Sequence, residues 1–377
     1  MKNIILLLLI GVYTSAFSQD VKTQVGAIAQ GYNAVGIAYV VVKDGEIIHS
    51  DAIGYKDLEQ KIKLNASKDL FRIASISKSF TATALMQLVE NNKLSLDADF
   101  GTLVGFPVRN PKFPDEVITL RMVLSHTSSV NDKNGYFNLD AINPEKNPQW
   151  YRGYNDYKPG TSYEYCNLNF NMAGAALEKI VGVRFDNYIK QQLLDPLGLK
   201  GGYCVDSLDK HAFAKIYQYD DSTAEFESQP AAYAPRSEEI LNYVMGYTTP
   251  VFSPTGGMKI SAEDLARYMI MHMNYGRFGN TKIIGKHMAQ TMQTPINKQA
   301  GYGLALREDK DFIEGKTMIG HTGSAYGLYS AMFFEPKERF GIVVITNGCK
   351  QNFEDDNPML LKDIANVLYK TVLTPTK

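Results

Sequence analysis

The chain opens on a charged tip, Met1-Lys2-Asn3, followed by an apolar run over residues 4–12 that is too short to span a bilayer. Small residues at Ala16 and Ser18 then occupy the positions a signal peptidase reads, so residues 1–18 are expected to be an export signal cut before Gln19. From Ala34 the pattern changes to a β-branched run ending at Val42. Lys43-Asp44-Gly45-Glu46 carries an Asp-Gly hairpin signal, and residues 47–54 return as a second strand. Ser75 to about Glu90 repeats apolar residues at helical spacing around most of its circumference, which predicts a mostly buried helix.

Shorter helices are predicted over 118–124, 168–181, 185–194 and 285–292, with Pro196-Leu197-Gly198-Leu199 as a stop. Ser261-Ala262-Glu263-Asp264 is a capping box opening another helix that reaches about Asn274. Strands are expected at 301–307, 317–319, 328–334 and 341–346. The closing segment places Leu360, Leu361, Ile364, Val367 and Leu368 on one helical face. Two stretches break the periodicity. Residues 130–160 and 203–255 are rich in Asn, Pro, Ser, Asp and Tyr, and read as long irregular loops of the kind that wall a cleft or cover a surface.

The element order predicts an α+β fold: an antiparallel sheet flanked by helices, with an inserted helical subdomain. The sheet part is expected at about 19–105 and 250–377, and a mostly helical insertion at about 106–249. Formal net charge is −1, becoming about −2 once Lys2 leaves with the signal. With no basic stripe or charge block, nucleic acid and anionic membrane are not expected partners, and nothing after the signal offers a membrane anchor. Cys166, Cys204 and Cys349 allow one disulfide at most and lack zinc-ligand spacing. The six histidines are scattered and no H-E-x-x-H occurs, so neither metal nor cofactor is expected.

Candidate chemistry begins at Ser75-Ile76-Ser77-Lys78. Residues three apart share a helix face, so Lys78 can reach the Ser75 hydroxyl, and a desolvated lysine favours the neutral form a base needs. An N-cap serine beside an exposed lysine fits the spacing equally, and Ser207-Leu208-Asp209-Lys210 repeats it without an apolar helix behind. Tyr165-Cys166-Asn167 offers a proton-transfer tyrosine and an amide ligand, although Tyr136-Phe137-Asn138 has the same form. Gly320-His321-Thr322-Gly323-Ser324 offers a strand edge along which a substrate can pair, with the Ser324 N–H as an oxyanion donor beside that of Ser75. A bulged strand with a satisfied histidine is the alternative.

Ser75-x-x-Lys78, Tyr165-x-Asn167 and His321-Thr322-Gly323, in that order and spacing, resemble the serine β-lactamase and penicillin-binding-protein superfamily. The Y-x-N form resembles its class C-like branch of esterases, D-peptidases and carboxypeptidases. Leu124-Ser125-His126-Thr127-Ser128 looks like a further motif of that branch, and Gly256-Gly257 with Asp264-Leu265-Ala266-Arg267 supports it. The resemblance implies Ser75 as acylated nucleophile, Lys78 and Tyr165 as the proton-transfer pair, and Asn167 as ligand of a substrate amide. It places His321, Thr322, Gly323 and Ser324 on the substrate-binding strand. In true β-lactamases the His321 position is usually lysine; an imidazole holds a carboxylate more weakly, which counts against efficient β-lactam hydrolysis.

The expected protein is thus a periplasmic or secreted serine hydrolase acting on an ester, amide or D-amino-acid peptide. Tyr165, coupled to Lys78, is expected to take the serine proton. Acyl transfer to a small alcohol or amine, β-lactam hydrolysis, and a cleft that acylates without turnover are the alternatives.

Overall fold

The structure, a computed structural model, describes residues 20–350, 352–354 and 357–374, so the expected signal segment lies outside the described residues. Seven strands build one antiparallel sheet: β1 (Gly36–Lys43), β2 (Glu46–Asp57), β3 (Ile62–Lys63), β4 (Arg307–Asp309), β5 (Met318–Ala325), β6 (Leu328–Glu335) and β7 (Phe340–Thr346). Their spatial order is β4-β5-β6-β7-β1-β2-β3, so the first and last parts of the chain meet where β1 pairs with β7. The predicted hairpin closes at Asp44 and Gly45, whose φ angles of 55° and 89° are those a two-residue turn needs to match strand twist.

The period of two divides each central strand between two cores. Ala38, Val40 and Val42 of β1, with Val343 and Ile345 of β7, face helix α4 (Ala262–Met273). Ile37, Tyr39 and Val41, with Ile342 and Val344, face helices α1 (residues 20–31) and α5 (Met359–Leu368). Strands buried on both faces carry continuous rather than alternating apolar runs, which is how β1 reads. Helix α1 has no counterpart in the predicted elements. Its signal was present in Val21, Val25 and Ala29, spaced by four and all buried.

Helix α2 (Ser77–Glu90) runs through the larger core, buried on nearly every side. Its hydroxyls are bonded inward: Thr81 Oγ1 donates to the Pro254 carbonyl at 2.9 Å, and Ser77 Oγ accepts the Met258 N–H at 3.0 Å. These bonds fasten the 254–258 segment alongside the helix. Helix α3 (Asn167–Val181) packs against it, and residues 106–249 otherwise hold short helices, tight turns and one hairpin, Tyr217–Asp220 with Glu225–Ser228.

Two predicted elements move. The strand expected at 301–307 is confined to Arg307–Asp309, because Gly301 and Ala305 adopt φ of 64° and 59° and turn the chain before it can extend. The strand expected to end at Ile319 continues to Ala325 and carries the whole His321-Thr322-Gly323-Ser324 segment. Among the described residues no helix is long and apolar enough to cross a membrane.

Candidate active site

Ser75 lies in a single 3-10 turn, Ala74–Ile76, that precedes α2 rather than at the cap of the α-helix itself. Ala74 has a φ of 46°, a left-handed conformation that a side-chain-bearing residue adopts at a cost. The turn is held from the sheet. A Cβ on Gly323 would lie 2.3 Å from the Ile73 carbonyl oxygen, and Ser330 Oγ donates to that same oxygen at 3.0 Å. The space that glycine frees on β5 is therefore filled by the backbone leading into Ser75, not by a substrate chain. Beyond Gly320, β5 has no partner strand on its β4 side among the described residues, and Thr322 and Ser324 line the cleft there.

Lys78 is fully buried, and its three donors are all used. Nζ donates to Ser75 Oγ at 3.1 Å, Asn167 Oδ1 at 2.9 Å and the Thr255 carbonyl at 3.0 Å. Burial lowers its pKa to about 7, with Asp132 pulling the other way, so near neutral pH a large fraction of Lys78 is a free amine. That amine rests against Ser75 Oγ and stands 4.7 Å from the centroid of the Tyr165 ring.

Tyr165 lines the cleft beside Lys78. Its hydroxyl is buried without a hydrogen bond, and burial raises its pKa despite the opposing pull of the Ser75 hydroxyl. A phenol so placed holds its proton more tightly than a solvated one.

His321 is likewise neutral. Burial and the nearby Lys78 and Arg307 charges lower its pKa to about 3. Nδ1 faces the Thr322 carbonyl, which can only accept, so the proton belongs on Nδ1 and Nε2 accepts from the Tyr302 hydroxyl at 3.0 Å. The residue that replaces the expected lysine thus offers no cation to a substrate.

Asp132 is a positioning residue the sequence did not reveal. Its carboxylate accepts the Asn167 N–H at 2.8 Å, the Asn167 side-chain amide at 3.0 Å and the Leu168 N–H at 2.9 Å. It caps α3, whose first residue is Asn167, and turns the Asn167 carbonyl oxygen toward Lys78, where Thr255 Oγ1 also donates at 2.9 Å. His126 closes the site from behind: Nδ1 accepts the Cys166 N–H at 3.1 Å, and its ring lies 4.3 Å from that of Tyr165. All three cysteines are buried and unpaired, and Cys166 donates to Asp132.

The resulting cleft encloses about 730 Å³. Ser75, Tyr165, Asn167, His321, Thr322, Gly323 and Ser324 all line it, and the buried Lys78 reaches Ser75 Oγ. Among the described residues no cluster of three His, Cys, Asp or Glu side chains converges for a metal ion.

Comparison with known proteins agrees with this geometry. The Staphylococcus aureus protein flp is 22% identical over 355 residues, covering 89% of this chain and 64% of its own length. A D-aminopeptidase of Cereibacter sphaeroides is 25% identical over 321 residues, covering 81% of this chain and 55% of its own. The chain therefore spans less than two thirds of these curated relatives. Among solved structures, EstCE1, a hydrolase with promiscuous acyltransferase activity, superposes with a TM-score of 0.71 at 20% identity, over 93% of this chain and 99% of that one. A family model for Beta-lactamase matches residues 19–365. The family match over nearly the whole chain, on a fold shared with these structures, places the chain in the beta-lactamase family.

Proposed function

We propose that the protein is an exported hydrolase that forms an acyl-enzyme on Ser75 from a small ester, amide or D-amino-acid peptide. The observation that carries this reading is the bond from Lys78 to Ser75, because a serine hydroxyl needs a neutral base in contact with it. Ser75 Oγ attacks the carbonyl carbon as its proton passes to Lys78 Nζ. The N–H groups of Ser75 and Ser324 hold the oxyanion. Tyr165 gives its proton to the leaving oxygen or nitrogen as that bond breaks, and recovers one from the Lys78 ammonium. Water then attacks the ester as Lys78 takes one of its protons, and the Lys78 ammonium returns that proton to Ser75 Oγ as the acid leaves. Lys78 and Tyr165 titrate as a coupled pair in this cycle.

A neutral His321 leaves a β-lactam carboxylate without a cation at that position, so cephalosporin turnover should be poor. Treatment with a fluorophosphonate and peptide mapping tests the reading. The adduct should sit on Ser75, and Ser75→Ala should abolish both labelling and turnover; labelling elsewhere, or undiminished turnover, overturns it. Export is supported by the apolar run at 4–12 with Ala16 and Ser18, and a mature N-terminus at Gln19 in the periplasm or medium is the expected outcome of N-terminal sequencing.

Acyl transfer is a second reading, favoured by the aromatic cleft: Tyr136, Phe137, Tyr163, Tyr302 and Tyr326 line it and offer an apolar acceptor a dry surface. In EstCE1 the same fold carries both activities. Product analysis with added alcohols and amines separates them, since free acid as the sole product excludes transfer.

A further inference from the structure

Charge in the cleft is one-sided. Two arginines, Arg72 and Arg307, line it, and none of its described lining residues is acidic. Arg307 is neutralised nearby, with Nη2 donating to Asp309 at 3.0 Å. Arg72 is not. Only 7% exposed, it forms no ion pair among the described residues; Nε donates to the Gly256 carbonyl at 3.0 Å and Nη1 to the Ala232 carbonyl at 3.2 Å. A guanidinium has five N–H donors, so three are left over.

The Arg236 charge adds to the imbalance at Arg72, whereas Lys259, opposite Arg72 in strand register, is pushed toward its neutral form. Arg236 has Glu239 at 3.1 Å, whereas Arg72 has only the Tyr326 ring, 5.3 Å from its guanidinium carbon. A desolvated guanidinium held on two carbonyls, with donors to spare on a cleft wall, lacks the anion that would complete it.

The cleft also has two distinguishable ends. Tyr165, the leaving-group acid in the proposed cycle, belongs to a ring cluster with His126, Tyr302 and His321. Arg72 belongs to the other end, with Tyr326 and with Tyr136, whose ring lies 4.4 Å from that of Phe137. The leaving group occupies the first end, so the acyl portion extends toward the second. Ile73 and Ala74 alone separate Arg72 from Ser75, and three Cα–Cα steps limit their Cα separation to about 11 Å, the length of a short acyl chain.

We propose that the enzyme selects acyl groups bearing a carboxylate of their own, which Arg72 binds, and rejects acyl groups bearing an ammonium. This rests on the acyl-enzyme reading above and narrows it. A carboxylate there accepts the spare Arg72 donors as a paired, charge-assisted contact. An ammonium would be desolvated beside a guanidinium with no carboxylate in the cleft lining to receive it, which separates this protein from hydrolases of free amino-acid amides.

Three p-nitrophenyl esters of matched length test it: the monoester of adipic acid, its neutral branched-alkyl isostere, and the trimethylammonio analogue. In the wild-type protein kcat/KM should favour the adipate ester over the neutral one by about tenfold or more, with the cationic ester slowest. Arg72→Gln should lower kcat/KM for the adipate ester far more than for the neutral ester, bringing their ratio toward one, and Arg72→Lys should retain part of the preference. A wild-type ratio near or below one, or faster turnover of the cationic ester, overturns the proposal without any variant being needed. So does a preference that survives Arg72→Gln. Turnover of all three esters without charge preference leaves Ser75 catalysis standing, whereas no turnover and no fluorophosphonate adduct on Ser75 overturns both.

Discussion

Two lysines are buried among the described residues, and their surroundings differ. Lys78 and Lys259 are both almost free of solvent, and burial lowers the pKa of each. Lys259 donates to one described partner, the Tyr203 carbonyl at 2.6 Å, and the charges of Arg72 and Arg236 push it further toward the neutral amine. Lys78 has three acceptors, one of which is a hydroxyl with a proton to give. Desolvation supplies the neutral amine at both places. Only contact with a hydroxyl at a cleft makes that amine a base, so depressed basicity alone does not mark a catalytic lysine.

Removing each amine in turn sharpens the contrast most. Lys78→Met should lower kcat/KM by about 10³-fold or more, the upper range for losing a general base, whereas Lys259→Met should stay within a few-fold of wild type. Steady-state kinetics on one ester checks both; comparable losses would erase the distinction. Next in size is Tyr165→Phe, expected to cost about 10²-fold on an amide and much less on a p-nitrophenyl ester, whose leaving group departs without a proton. Equal losses on both substrates would remove Tyr165 from the role of acid.

Asp132→Ala leaves the N-terminus of α3 and the Asn167 amide without their acceptor. It should lower stability by about 1–2 kcal/mol, read as a fall in Tm, together with a loss of activity as Asn167 releases Lys78. The smallest effect is on stability at the other lysine. Lys259→Met replaces a buried amine that has one carbonyl partner by an apolar chain of similar length, and should leave Tm unchanged or slightly raised. A large fall in Tm would show that Lys259 holds the backbone at Tyr203 through its hydrogen bond.

How much of this was legible in the sequence follows from range. The hairpin at Asp44-Gly45, the helix behind Ser75 and the face of Leu360, Leu361 and Ile364 are local patterns, and each forms where it was read. Ser75 with Lys78, Asn167 and the His321–Ser324 strand meet in one cleft because a family pattern located residues that local spacing could not join. Asp132 was invisible for the opposite reason: a single acid in an irregular loop has no period, and its role appears only when that loop folds back on the first turn of α3. Tyr302 was hidden the same way, since its pairing with His321 arises from turns at Gly301 and Ala305 that interrupt an apparent strand. Arg72 did leave a trace, a lone charge between Phe71 and Ile73 in a buried strand.

The pH dependence of Ser75 acylation, followed as the second-order rate of fluorophosphonate labelling, tests the central claim most directly. Lys78 must lose its proton to act as a base, so the rate should be low in acid and rise to a plateau with a midpoint near 7, where burial places this amine. Lys78→Met should leave a low rate without that rise. A wild-type midpoint near the ordinary lysine value, a rate that falls with rising pH, or a rise that persists in Lys78→Met would contradict the assignment of Lys78 as the base.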